Sequence, residues 1–307
     1  MRCVASSSLY FSSSSAPIMT VPKKYPPVGK CIYCGATSYT PNDSLAKLRD
    51  EHIIPLAFGG NLLLPEASCK KCERITSRIE THCIEQMVRD TREHLGLTAR
   101  RHRRARGHLP VSIDHGTHTE VRRVPAEEHP ATLFMFAFEP PTLLSGADDP
   151  PGRIAAGKIA IRALTPDFMA RVNRIPGKIN LVRRGGFTAH IFCQMLAKIA
   201  HSYAVAEIGL DALNPILPDF IRGEQTPHPA RFVGGSFIPE IASGDRNEIR
   251  QNMWPTRDGK QYVVVRIRLF ADLDMPDYLI VAGDDIRQSP PTTRDVMAET
   301  QGGLKED

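Results

Sequence analysis

Two Cys-x-x-Cys pairs, Cys31/Cys34 and Cys69/Cys72, are the residues of this chain whose type and spacing indicate metal chemistry. Each pair places two sulfur atoms on one tight turn, so two turns can close a tetrahedral site with each sulfur about 2.3 Å from zinc. A reduced, metal-free role is the alternative for these thiols. We predict that the four cysteines bind a structural Zn²⁺.

The segment between the two pairs carries residues that can support hydrolysis. Glu51 and His52 are followed by Pro55 and then by Gly59 and Gly60. A neutral histidine can take a proton from water, and a carboxylate is a hard ligand that suits Mg²⁺ or Mn²⁺. The pair therefore indicates acid–base chemistry held next to a zinc-stabilised scaffold.

This arrangement resembles the HNH endonuclease family, in which an acid–His pair, a Gly-Gly turn and a Cys-x-x-Cys pair at the head of a helix build a small ββα-metal core. The resemblance covers roughly residues 30–95, less than a third of the chain. It implies hydrolysis of a phosphodiester bond with His52 as the general base. It also implies that Glu51 binds a second divalent cation, Mg²⁺ or Mn²⁺.

Two positions depart from the family pattern. The second cation ligand of the family, usually Asn or His, follows the second Cys pair directly, and this chain has Glu73 there. The family's Asn that orients the base corresponds to Leu64, so the resemblance leaves Asn61 as the nearest candidate for that role. Plainer interpretations stay open: His52 as a half-buried histidine without catalytic work, and Glu73 as an exposed first-turn acid that favours the helix dipole.

The local sequence predicts the elements that would position these residues. A β-like stretch begins at His52, the Gly-Gly turn reverses the chain, and a second strand covers 62–64 and ends at Pro65. Ser68 is the predicted N-cap of the following helix. Apolar residues at three- and four-residue spacing predict that this helix continues through Leu95, with Gly96 as its C-cap.

A run of five arginines follows this predicted helix: Arg100, Arg101, Arg103, Arg104 and Arg106. Such a density of positive charge repels itself unless anions are near, so the run predicts contact with a nucleic-acid backbone. Contacts of this kind position a duplex but carry no sequence information. A solvated linker arm is the alternative.

Composition limits the class of protein. The 307 residues are long enough for about two domains, and 41% hydrophobic residues suffice for a packed core. No apolar run reaches the roughly 18 residues that a membrane span needs. The net charge of +5 is mild, so the distribution of charge carries more information than its total. Cysteines clustered in pairs favour a reducing, cytoplasmic compartment, and we predict that Cys83 and Cys193 are packed core residues.

We predict the following organisation: a Ser-rich disordered tail (1–28), an HNH-like zinc module (29–96), an Arg-rich linker (97–110), an α+β domain of unknown role (111–287) and a frayed tail (288–307). Alternating patterns predict strands at 132–138, 261–270 and 278–282. Apolar periodicity between Phe187 and Tyr203 predicts an amphipathic helix.

The predicted fold class is α+β, with a small zinc-stabilised ββα-metal module followed by a larger α+β domain. The predicted function is a metal-dependent endonuclease, a hydrolase that acts on nucleic acid, with DNA as the expected partner. One alternative is a non-catalytic zinc-binding module that binds nucleic acid. A third gives the main activity to the large domain and only a docking role to the zinc module.

Overall fold

The computed structural model describes residues 23–89, 91–92, 94–95, 97, 107–151, 157–165, 167–180, 189–224, 227–238, 244–256 and 260–287. Helices and strands are mixed along the chain, which confirms the α+β class. None of the helices in these ranges combines the length and apolar character that crossing a bilayer requires.

The cysteine-bearing part of the chain folds into a small sheet followed by a helix: β1 (Lys23–Lys24), β2 (Arg49–His52), β3 (Leu62–Ser68) and α1 (Lys70–Met87). β3 is central, with β1 parallel on one side and β2 antiparallel on the other. The predicted tail over 1–28 therefore needs correction, because β1 lies in the sheet; the rest of that tail, 1–22, lies outside the described residues.

The predicted reversal between the two strands is present. A 3-10 turn (Leu56–Phe58) leads to Gly59, whose φ of +83° lies in the left-handed region that favours glycine. Any Cβ on Gly60 would clash with the backbone carbonyl of Ile54. Both glycines are therefore required by the close return of the chain.

β3 runs past Pro65, where the strand was predicted to end, and includes Ser68, the predicted N-cap. Proline has no N–H to donate, but its carbonyl accepts a 3.0 Å hydrogen bond from the Val28 amide, so the sheet continues. Glu66 has a φ of +49° beside a register shift in the β2–β3 pairing. A bulge thus absorbs the irregularity, and Cys69 takes the position before the helix.

α1 ends at Met87, not at Leu95 as its apolar spacing predicted. The Thr91 hydroxyl lies 3.4 Å from the Met87 carbonyl and satisfies one of the orphan acceptors at the helix end. Leu95 still packs into the core, at 5% exposure, as part of a later turn. The apolar spacing therefore predicted the burial of Leu95 correctly, but it predicted too long a helix. The predicted cap Gly96 lies outside the described residues.

The described residues after α1 form these further strands and α-helices: β4 (His108–Asp114), β5 (Thr119–Pro125), β6 (Thr132–Phe138), α2 (Thr142–Ser145), β7 (Gly157–Ala163), α3 (Phe168–Arg174), β8 (Lys178–Asn180), α4 (Ala189–Ile208), β9 (Leu213–Pro215), α5 (Pro218–Arg222), β10 (Val233–Gly235), β11 (Asn247–Pro255), β12 (Gln261–Leu269) and β13 (Asp277–Asp285). The predicted strands appear as β6, β12 and β13, and the predicted helix as α4. The predicted linker over 97–110 overlaps the start of β4.

The largest sheet has the order β10-β13-β12-β11, with β9 also paired to β13. Smaller sheets pair β5-β4-β8 and β6-β7. α4 packs on β12 and β13 with one side and on α1 and α5 with another, so most of its residues are buried. α4 is therefore the element that joins the large sheet to the cysteine-bearing segment.

One continuous hydrophobic core includes Ile53 and Leu64 of the cysteine-bearing segment together with Phe192 and Ile199 of α4. Cys83 and Cys193 also lie in this core and are fully buried, as predicted. The predicted boundary between a module at 29–96 and a domain at 111–287 does not coincide with a break in packing.

Candidate functional site

The four predicted zinc ligands converge. The Sγ atoms of Cys31, Cys34, Cys69 and Cys72 all lie within 4.8 Å of one another, and all four are free thiols. Cys31 and Cys34 come from the loop before β2, and Cys69 and Cys72 from the start of α1. The cysteine cluster, as we call these four residues, thus ties that loop to the head of the helix.

The geometry of the cysteine cluster fits zinc. A tetrahedral site with 2.3 Å Zn–S bonds requires sulfur atoms about 3.8 Å apart, and the Sγ atoms of Cys34 and Cys69 are 3.6 Å apart. Three of the cysteines are buried and Cys34 is exposed, which leaves one side of the cluster open to solvent. Such a closed set of four sulfurs is typical of a structural zinc site rather than a catalytic one.

The thiols of the cysteine cluster influence one another's ionisation. A hydrogen bond from Cys72 lowers the pKa of Cys31 to about 5, and the same interaction raises the pKa of Cys72. Hydrogen bonds from the backbone amides of Tyr33, Cys34 and Cys69 also favour the Cys31 thiolate. Because the thiolate is the form that binds metal, the protein environment favours at least one ligand in its binding form.

The loop that carries Cys31 and Cys34, which we call the first knuckle, is held by residues of α4 and α5. His201 of α4 donates from Nε2 to the Ile32 carbonyl at 2.7 Å, and Arg222 of α5 donates to the Tyr33 carbonyl. His201 is fully buried, and burial lowers the pKa of its imidazole to about 4. A neutral His201 therefore fixes the backbone between Cys31 and Cys34.

His52, the predicted base, is the last residue of β2 and pairs with Leu63 of β3. The residue is half-buried. Its backbone carbonyl accepts a hydrogen bond from the ammonium group of Lys198 on α4. The chain around His52 is thus held both by the sheet and by a side chain from a distant helix.

Glu51, the predicted cation ligand, is buried in an ion cluster with Lys198 and Glu80. The Lys198 Nζ atom lies 2.8 Å from Glu51 Oε1 and 2.7 Å from Glu80 Oε1. The Lys198 side chain is fully buried, and that of Glu51 is 6% exposed. The Glu51 carboxylate is therefore engaged by an ammonium group rather than open to solvent.

Electrostatics of the ion cluster favour a charged lysine. Burial alone lowers the pKa of Lys198, but the attraction of Glu51 and Glu80 outweighs it, so the net pKa is raised. Burial raises the pKa of Glu51, and Lys198 and a hydrogen bond with Tyr33 oppose that shift. Because two carboxylates face one ammonium group, the charge state of each of the three residues depends on the other two.

Glu73, the predicted second cation ligand, has a different neighbour. The Tyr39 hydroxyl donates to Glu73 Oε2 at 2.7 Å, and the Arg49 guanidinium lies 5.2 Å from the centre of the Tyr39 ring. Glu73 precedes Glu80 by two helical turns, which is about 10 Å along the helix axis. The partners of Glu73 are therefore separate from those of Glu51.

Asn61, the candidate for orienting the base, directly precedes β3 and is half-buried. Its backbone carbonyl accepts a 2.9 Å hydrogen bond from the Lys23 amide. Leu64, which stands at the family position of this Asn, is buried and pairs with Glu51 across the strands. The role of Asn61 stays a prediction.

Within the described ranges, the cysteine cluster is the one group of three or more His, Cys, Asp or Glu side chains that converges closely enough to hold a metal ion. Glu51 and Glu73 are thus not brought together with a third ligand. The five predicted phosphate contacts, from Arg100 to Arg106, lie outside the described residues.

Sequence reasoning missed Lys198, Glu80 and His201. The signal for Lys198 was a lone charged residue in an apolar stretch, with Ala197 before it and Ile199 after it. A charge at such a position requires a buried partner. The identity of that partner was not readable, because it lies far away in the chain.

Neither a protein-family model, nor a curated protein, nor a solved structure matches this chain. The HNH resemblance therefore rests on the residues quoted for it alone.

Proposed function

We propose that this chain is a metal-dependent endonuclease of the HNH type that hydrolyses phosphodiester bonds in DNA in the cytoplasm. The observation that carries the proposal is the order strand, Gly-Gly reversal, strand and helix, with the cysteine cluster at its entry and its helix head. His52, a half-buried residue, stands at the end of the first of these strands.

The proposed role of His52 is that of a general base. A neutral imidazole accepts a proton from a water molecule that attacks phosphorus, and we propose that this water reaches the half-buried His52. The β2–β3 pairing at Leu63 limits how far the backbone of His52 can shift. The cysteine cluster holds the segment in place and takes no part in the proton transfer.

A divalent cation, Mg²⁺ or Mn²⁺, is part of the proposal, since such an ion offsets charge on the phosphate and on the leaving oxygen. Glu51 and Glu73 do not fit as its shared ligands. Lys198 engages the first carboxylate and Tyr39 the second, and no third ligand converges on them among the described residues. The protein ligands of the cation are therefore left unassigned.

A second candidate function is a zinc-binding module that binds nucleic acid without cleaving it. The pairing of Glu51 with Lys198 favours this alternative, because it gives the acidic member of the motif a structural role. In that case the cysteine cluster and the arginine run would matter, and His52 would not.

A plasmid-nicking assay with Mg²⁺ or Mn²⁺ separates the two functions. We expect wild-type protein to nick, and His52→Ala to reduce the rate by about 10²- to 10⁴-fold because the base is removed. Zinc content, thermal unfolding and DNA affinity should stay the same. His82→Ala, which changes another half-buried histidine of the same segment, is the matched control and should cleave like wild type.

Equal cleavage by wild type and His52→Ala would remove His52 from the mechanism. If wild type cleaves no nucleic acid with either cation, the binding-module function is the correct one.

A further inference from the structure

Lys198 is a buried cation that reaches across the core from α4 to the strand that carries His52. Its side chain has no exposed surface. Its Nζ atom contacts the Glu51 and Glu80 carboxylates, and it also donates to the backbone carbonyls of His52 and, at 3.3 Å, Ile53. Every one of these acceptors belongs to the segment with the proposed active site.

The two kinds of acceptor have different consequences. An ammonium group has three N–H donors: two serve the carboxylates, and the two carbonyls share the third, with that of His52 the closer one. The two carbonyls belong to the consecutive residues His52 and Ile53, so Lys198 restrains the peptide group that follows His52. The orientation of that peptide sets the direction in which the His52 side chain leaves the backbone.

Burying a lysine side chain carries a high desolvation cost. An apolar side chain would fill this position on α4 without a desolvation cost, and breaking a buried ion pair by removing one partner is costly. Lys198 also lies among apolar neighbours, Ala197 and Ile199, which are themselves fully buried. The geometry therefore calls for a role that a methionine or leucine could not perform.

We infer that Lys198 is a positioning residue for His52, and that Glu51 acts by holding Lys198 rather than by binding the reaction's cation. The inference rests on the proposed nuclease function for its effect on rate. Its structural part, the hold on the His52 peptide, can be tested without any activity.

Two variants isolate the hold on the backbone. The double variant Glu51→Gln/Glu80→Gln removes both carboxylate charges but keeps the lysine, whose buried amine then favours its neutral form with two N–H donors. Adding Lys198→Met to it removes the donors as well, without leaving an unpaired buried charge. The two proteins differ only at Lys198, so their comparison reports what its hydrogen bonds do.

We expect kcat of the triple variant to fall by about 10- to 10²-fold relative to the double variant, since a shift of about 1 Å in a reacting group has effects of this size. KM and zinc content should differ little between the two, whereas the melting temperature should be higher in the triple variant, because the double variant leaves Lys198 buried without a counter-charge. For the single variant Glu51→Gln, the Mn²⁺ concentration at half-maximal rate should stay within about two-fold of wild type, because no cation ligand is removed.

Equal kcat in the double and triple variants would overturn the positioning role, and a rise of about ten-fold or more in half-saturating Mn²⁺ for Glu51→Gln would make Glu51 a cation ligand. If wild type has no activity, the proposed function fails and NMR decides the inference. The His52 imidazole signals, assigned by their disappearance in His52→Gln, should then differ between the double and triple variants. Identical signals would overturn it.

Discussion

The cysteine cluster and the ion cluster hold the same short segment of chain by different physical means. Cys34 and Cys69 are separated by 35 positions in the sequence, whereas Lys198 and His52 are separated by 146. The cysteine cluster has an exposed member, Cys34, while Lys198 at the centre of the ion cluster is fully buried. One cluster is thus local and able to hold a metal ion, and the other is long-range and depends on the packed core.

The comparison shows that the cysteine-bearing segment is not an independent unit in this chain. Its inner face shares a core with α4, and its first knuckle is fixed by His201 and Arg222. The cysteine cluster ties the ends of the segment together, but a helix more than a hundred residues later completes it. Variants that disturb one cluster at a time test this difference.

The largest effect is expected from the cysteine cluster. Cys69→Ser should abolish zinc binding and unfold the segment over 29–87, since a structural zinc site contributes directly to folding free energy. Metal analysis should give about one zinc per chain in wild type, and hydrogen exchange should show reduced amide protection in the variant. Cys83→Ala, on the same helix but outside the cluster, should keep its zinc. Folded wild-type protein without zinc would contradict this prediction.

The next effect is expected from the ion cluster. Lys198→Met leaves the acids Glu51 and Glu80 without their cation, and it should reduce the free energy of unfolding by about 3–5 kcal/mol. Adding Glu51→Gln and Glu80→Gln should recover most of that stability, because no uncompensated charge remains. Chemical denaturation measures both values. If the three changes add without recovery, the residues do not act as one cluster.

A smaller effect is expected from His201, which joins α4 to the first knuckle. Its folded-state pKa of about 4 lies below the ordinary value near 6.5, so the unfolded chain binds more protons between these limits. Stability from this residue is complete above about pH 6.5 and falls by about 2 kcal/mol between about pH 7 and pH 5. Denaturation at several pH values, with zinc content checked at each, measures the slope. His201→Gln, which cannot titrate, should flatten it, and an unchanged slope would exclude His201 as the cause.

The smallest effect on stability is expected from the arginine run, which belongs to neither cluster. Changing Arg100, Arg101, Arg103 and Arg104 to Ala should leave unfolding unchanged and weaken DNA binding regardless of sequence. The slope of log affinity against log salt should become less steep by about 0.9 for each phosphate that the variant no longer neutralises. A slope equal to that of wild type would show that these arginines do not meet the backbone.

Local sequence carried the features that neighbouring residues determine. The cysteine spacing predicted a cluster that the structure confirms, and Gly59 and Gly60 predicted the reversal. The alternation in 261–270 predicted β12, which ends one residue earlier, at Leu269. Each of these depends on a few adjacent residues, so a single sequence is sufficient to predict it.

Features that depend on tertiary packing were missed or misjudged. Proline tends to end strands, but the carbonyl of Pro65 accepts a hydrogen bond from the Val28 amide, and the strand continues. Leu95 continued an apolar period after the helix had ended, because the core extends further than α1 does. Glu51 resembled a free metal ligand because nothing nearby in sequence shows that Lys198 will neutralise it.

The long sequence separation between His52 and Lys198 sets an order of events during protein synthesis. At about 5–20 residues per second, the ribosome adds Lys198 about 7–30 s after His52. All four cysteines are added before Lys198, so zinc can bind the nascent chain before the ion cluster exists. We expect the nascent segment to hold its metal while Glu51 is still hydrated, and the final burial of that acid to wait for α4.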